Sequence, residues 1–270
     1  MSNDESNPLF GAAPTEIPLP AAPLVTVLWQ VRFPEIVSIQ QKSFIAGFQE
    51  AIRDDFPLLV EDLIDAIQID EPSASVSRSR QTVWRFVDET AKWRISLSSS
   101  FLTLETRAYR SRADFADRFG KILSAAAQSF RPTHATRIGV RYVDRIPLRN
   151  EIALEELFRP EMMGLVGSKI SESVVHSISE VMCKTEEGSM QARWGKLPER
   201  GSHDPDVMPP ISDACWFLDL DTFSDYQKTP IRFEAEMIRD DTVKLSTRTY
   251  SFFRWATTPA FLRAFGGEPK

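Results

Sequence analysis

The chain has 270 residues, of which 42% are hydrophobic and 26% charged, enough for one large domain or two small halves around a sizeable core. A net charge of −6 argues against a nucleic-acid partner, since general nucleic-acid binders carry a basic footprint. No apolar run approaches bilayer length, the N-terminus is polar and proline-rich, and the two cysteines, Cys183 and Cys215, lack metal-ligand spacing, so a cytoplasmic protein without a membrane partner is expected.

Residues 1–22 are rich in Pro, Ala and Ser without periodicity and read as a flexible N-terminal tail. Order begins at "PLVTVLWQVRFP", where Val25, Val27, Trp29, Val31 and Phe33 alternate with Thr26, Leu28, Gln30 and Arg32 as in a half-buried strand. Phe44, Ile45, Phe48 and Ile52 then recur at helical spacing, before Phe56 and Pro57. Four strands are expected next, at 64–70, 81–87, 93–98 and 101–108, with connections short enough for an antiparallel meander. A second helix opens at Ser111, with Asp114 three residues on, and buries Phe115, Phe119, Ile122, Ala126 and Phe130 before Pro132.

The strand "TRIGVRYVDRIP" follows and joins a first half, 23–147, to a second, 148–270. The second half offers a short helix at 154–158, strands at 174–184, 189–196 and 214–221, and a long helix from about 233 to 253. Thr258 and Pro259 start a final helix as cap and first-turn residue. The expected fold is α+β: duplicated β-α-β(3-4)-α units forming one curved antiparallel sheet with long helices on one face. This order resembles that of TATA-binding-protein-like folds, a likeness of element order that carries no function. Four consecutive strands between helices disfavour a parallel Rossmann-type sheet.

The chain also resembles a sporadically distributed family of uncharacterised bacterial proteins. The likeness rests on Pro23, Leu24, Val25, Arg32, Phe33 and Pro34, on the run Arg137 to Ile146, and on the placing of Phe56-Pro57 and "FLTLETRAY". It extends over most of the chain after the tail and brings no established activity. It implies variable, mobile or defence-associated gene neighbourhoods, and from them a toxin-neutralising or defence-accessory role with a protein partner encoded nearby.

On a strand, Arg137, Gly139, Arg141, Val143 and Arg145 share one side. Neighbouring arginines there lie about 7 Å apart and repel by about 0.6 kcal/mol in water, or about 2.4 kcal/mol at an effective dielectric of 20. They therefore need counter-charges or a bound anion. Arg85, Arg94 and Arg107 extend the candidate binding surface, with Ser96 and Glu105 also at polar strand positions and Glu105 a cheap internal partner for Arg141. The tryptophans Trp29, Trp84, Trp93, Trp194, Trp216 and Trp255 read mainly as core.

Asp219 and Asp221, with Asp213 or with His203, Asp204 and Asp206, hint at a divalent-cation site, but no metal-binding motif supports them and no metal is expected. His134, His176 and the cysteines lie in no catalytic motif, and no nucleotide-binding loop is present. No catalytic residue and no cofactor is assigned. The leading expectation is a non-enzymatic protein-binding module using the arginine face or a groove between the halves. The alternative is a sensor of a small anion or nucleotide, or an enzyme acting on one, through the same arginines.

Overall fold

A computed structural model describes residues 7–70, 75–148 and 153–268. The first part of the chain forms β1 (Leu24–Arg32), α1 (Ala46–Ile52), β2 (Leu58–Asp70), β3 (Ser75–Val87), β4 (Trp93–Leu97), β5 (Phe101–Thr106) and α2 (Arg112–Ser129). Then come β6 (His134–Ala135), β7 (Arg137–Pro147), α3 (Leu154–Leu157), α4 (Pro160–Met163), β8 (Ser177–Lys184), β9 (Ser189–Leu197) and β10 (Cys215–Asp225). The chain closes with β11 (Ile231–Arg232), α5 (Ala235–Ala256) and α6 (Pro259–Ala264).

Among the described residues nine strands share a sheet in the order β2-β3-β4-β5-β1-β7-β10-β9-β8, and β6 pairs with β11. The hairpins β2-β3, β3-β4, β4-β5, β8-β9 and β9-β10 are antiparallel. Main-chain bonds at both ends of β7's two pairs follow the same sense: Thr136 to Arg32 and Arg145 to Pro23 for β7 with β1, Leu148 to Ala214 and Tyr226 to Thr136 for β7 with β10. The protein is thus α+β with a large antiparallel sheet. None of the helices among the described residues is long and apolar enough to cross a membrane.

The chain separates into two compact units, one of residues 1–27, 139–224 and 243–270, the other of residues 28–138 and 225–242. The boundary therefore falls inside β1 and β7, whereas the sequence reading divides the chain after residue 147.

In the second unit, alternation along β1 turns Trp29 toward α2, where its ring lies 4.8 Å from Phe115 and 5.8 Å from Phe119. Phe48 of α1 meets Phe86 and Phe130 at 5.4 and 5.5 Å. The α2 start is capped as its sequence predicts, the Asp114 amide donating to Ser111 Oγ at 3.2 Å. Buried Trp84 satisfies its indole N–H on the Ile39 carbonyl at 2.7 Å.

In the first unit β10 is covered on both faces. One face carries Trp216, Leu218 and Leu220 of β10, in a cluster with Phe158, Phe252 and Phe261. Thr222 accepts from Thr249 of α5 at 2.7 Å, and Tyr142 of β7 bonds Ser246 at 2.7 Å. The opposite face carries Val143, Cys215, Phe217 and Leu197, packed with Met208, Val207 and Ile211 of the loop 198–214. Thr26 Oγ1 ties that loop down by donating to the Val207 carbonyl at 2.8 Å. The cap of α6 also follows its sequence signal, the Phe261 amide donating to Thr258 Oγ1 at 3.3 Å.

The first six residues of the expected tail lie outside the described residues. Residues 7–22 form no helix or strand but run along the first unit, with Leu9, Ile17 and Leu19 packed against its core. The Glu186 amide donates to the Leu9 carbonyl, and Arg248 donates to the carbonyls of Pro8 and Gly11 at 3.2 and 3.1 Å. Three apolar residues without a period suffice to anchor an extended segment, and periodicity cannot reveal them.

Candidate functional site

The strand β7 divides its side chains as alternation requires. Ile138, Val140, Tyr142, Asp144 and Ile146 share one side, and the arginines share the other with Gly139 and Val143. The counter-charge for Arg141 is Asp219, diagonally across on β10. Arg141 Nε and Nη2 donate to its two oxygens at 2.8 and 2.7 Å, and Arg141 Nη1 donates to Asp204 of the covering loop at 2.8 Å. Glu105, the partner suggested by sequence, instead pairs with Arg94 at 2.7 Å, because the β4-β5 register sets those two residues opposite each other. Arg145 donates to the Pro209 carbonyl of the same loop, and Arg137 reaches Gln30 Oε1 at 3.5 Å.

Around Asp219 the loop contributes a second residue. His203 Nε2 lies 2.7 Å from Asp219 Oδ2, and the imidazole stacks on Phe217 at 4.4 Å. Arg193 of β9 approaches the same oxygen at 3.5 Å while its Nε donates to Glu180 at 2.6 Å. Asp219 is only 1% exposed. Burial opposes its charge, but the bonds from Arg141 and His203 outweigh that cost and hold the carboxyl below its ordinary range. The same pairing, with Asp204, outweighs burial at Arg141 and raises the guanidinium further above its ordinary range.

Chemically this is a clasp. Loop residues His203 and Asp204 close onto a buried Arg141–Asp219 pair, and Pro209 takes a bond from Arg145. Of the residues that hinted at a cation site, Asp219, His203 and Asp204 converge, but the cation at their centre is the Arg141 guanidinium. Among the described residues no three His, Cys, Asp or Glu side chains group as metal ligands. His203 turns Nε2 toward the carboxylate and leaves Nδ1 buried with no hydrogen-bond partner. The Cys215 thiol is pushed up by burial, with Arg145 pulling the other way, which favours the unreactive protonated form.

The remaining candidate arginines belong, with Arg137, to the second unit. Arg85 forms an ion pair with Asp62 and reaches Ser96 Oγ at 3.4 Å. Arg94 is held by Glu105, with its own Nε buried and unpartnered. Arg107 lies exposed just beyond β5 and takes no strand position; its amide donates to the Lys92 carbonyl at 3.0 Å. A cavity of about 330 Å³ opens nearby, lined by Asp55, Asp88 and Asp114 against Lys92, Arg110 and Arg118. Arg118 stacks over Trp93 at 4.5 Å. Three acids against three bases give that cavity no net preference for an anion.

Sequence reasoning missed the two sheet edges. On β2, Leu58, Val60, Leu63 and Ile64 are all exposed, Val60 by 47% and Leu63 by 61%. Leu58, Val60, Asp62 and Ile64 share a face of the strand, with Val60 opposite Arg85 in register. On β8, Ile178, Val181 and Met182 are exposed, Met182 by 60%. Apolar residues in a strand read as core in a sequence, and only strand order reveals that, among the described residues, these strands have one neighbour each. Compared with protein-family models and with curated proteins, the chain finds no match.

Proposed function

We propose that the chain is a non-enzymatic protein-binding module whose partner docks on the β2 edge through an extended segment of apolar and basic residues. The observation that carries this reading is the row Leu58, Val60 and Ile64 on one face of an edge strand, all exposed, with Leu63 and Glu61 exposed on the other face. A strand edge offers main-chain hydrogen bonds, the apolar row offers contact area, and the acidic residues favour a basic partner over a second β2. In the concrete version, drawn from the family resemblance, the partner is a toxin or defence component encoded nearby. The same reading takes strand, helix, strands and long helix, occurring twice along the chain, as an internal duplication in TATA-binding-protein-like order.

The arginines weigh against the alternative of an anion sensor or an enzyme acting on an anion. Arg141, Arg94 and Arg85 spend their charge on Asp219, Asp204, Glu105 and Asp62. A thermal-shift screen with nucleotides and phosphorylated metabolites is accordingly expected to be flat, and a rise in Tm with the logarithm of ligand concentration would favour the sensor.

The docking surface is tested by affinity capture from the native host with the wild-type chain and with Val60→Lys/Ile64→Lys, two exposed positions where the fold tolerates charge. The proposal expects one protein, in about equimolar amount, bound to the wild type and lost from the variant. Equal capture by both chains, or recovery of the wild type alone, would overturn it.

A further inference from the structure

The opposite edge of the nine-stranded sheet has different chemistry. Among the described residues β8 is bonded to β9 alone, and its register runs from Ser177 opposite Lys196 to Lys184 opposite Ser189. The turn beyond it fixes which way its peptide groups point. The Thr185 amide donates to the Gly188 carbonyl at 2.9 Å, and the Gly188 amide returns to the Thr185 carbonyl at 3.4 Å. In an antiparallel pair this orientation alternates, so Cys183, Val181 and Ser179 direct their N–H and C=O groups to β9. Ile178, Glu180, Met182 and Lys184 therefore turn theirs outward. Those four residues are all exposed, and the strand contains no proline or glycine to break up the edge.

That outward row is complementary to itself. When two copies align antiparallel about Met182, Met182 faces Met182, Glu180 faces Lys184 of the second copy, and Lys184 faces its Glu180. All three pairs consist of outward-directed residues, so together they close about six main-chain hydrogen bonds. Opposite charges meet at both ends, which favours this register over a slipped one. Glu180 keeps Arg193 beside it at 2.6 Å, so its charge is already fixed at the edge. β2 shows the contrast: its described side chains include Glu61 and Asp62 and no Lys or Arg, so a second copy brings no opposite charge to them.

We infer that β8 is a self-association site, where a second copy of this chain docks to form an antiparallel strand pair centred on Met182. The site lies on the other edge strand and does not rest on the proposed partner of β2.

The full-length chain tests it. Sedimentation of the wild type over a range of concentrations should give twice the chain mass at the upper end. Lys184→Glu sets two carboxylates against each other at both ends of the pairing and should weaken the dimer at least about tenfold. In a Cys183→Ser background, Met182→Cys should cross-link under mild oxidation, since directly opposed Cα atoms lie about 5.5 Å apart, within disulfide reach. Glu180→Cys in that background should not, because its counterpart is four residues away along the strand. A wild type that stays monomeric, a dimer indifferent to Lys184→Glu, or equal cross-linking at both positions would overturn the inference.

Discussion

Replacing Arg141 by glutamine tests the clasp where it is most buried. Asp219 would lose both bonds from Arg141 and keep only His203 at 2.7 Å and the 3.5 Å approach of Arg193. Asp204 would lose its bond at 2.8 Å, and the loop 198–214 would keep its apolar contacts and the bonds through Val207, Pro209 and His203. Removing one partner of a buried pair costs about 3–5 kcal/mol, and since Arg141 remains 15% exposed the lower end applies, about 3 kcal/mol. With a urea dependence of about 3 kcal/mol per molar, the midpoint falls by about 1 M. Unfolding should be followed by tryptophan fluorescence and by circular dichroism together, because two units need not melt as one. Adding Asp219→Asn to the variant should cost less than the sum of the single changes, since the interaction is already gone. A single variant within about 0.5 kcal/mol of wild type at pH 7 would refute the reasoning. The pH dependence has a definite sign. Because the folded Asp219 carboxyl is held below its ordinary value of 3.8, its contribution is complete above that value and is lost as acid protonates it.

Asp144 should behave in the opposite way. Burial pushes its carboxyl from 3.8 up to about 7, so the folded protein loses stability as pH rises between those values. At about 1.4 kcal/mol per unit the full effect is about 4 kcal/mol, and Asp144→Asn should gain on wild type in urea midpoint at pH 8 but not at pH 4. An equal difference at both pH values would contradict this. Gly195 holds a φ of +152°, and an added Cβ would sit 1.9 Å from the Ser177 carbonyl oxygen. Gly195→Ala should therefore raise amide exchange in β8, and unchanged protection there would show that the hairpin can shift to make room.

Much of the architecture is local and hence legible. The alternation of β1, the buried stripe of α2 and the caps at Ser111 and Thr258 each need only a few neighbouring residues to be read. The clasp is not local: Arg141 and Asp219 are separated by 78 positions and meet diagonally, so strand alternation could show that Arg141 needs a partner but not which one. One signal was available. "CWFL" at 215–218 is apolar without alternation, the mark of a strand covered on both faces, and the cover is the loop that carries His203 and Asp204. The edges were illegible for a different reason. Val60 and Met182 obey the same pattern as buried residues, and only the order of strands in the sheet leaves them uncovered.

The central claim is that partner recognition belongs to the β2 edge while the β7 arginines serve the fold. Amide hydrogen exchange on the full chain, free and saturated with the captured partner, separates the two most directly. The account predicts new protection along residues 58–64 and none in β7. Protection confined to residues 137–145 or to the loop 198–214 would contradict it.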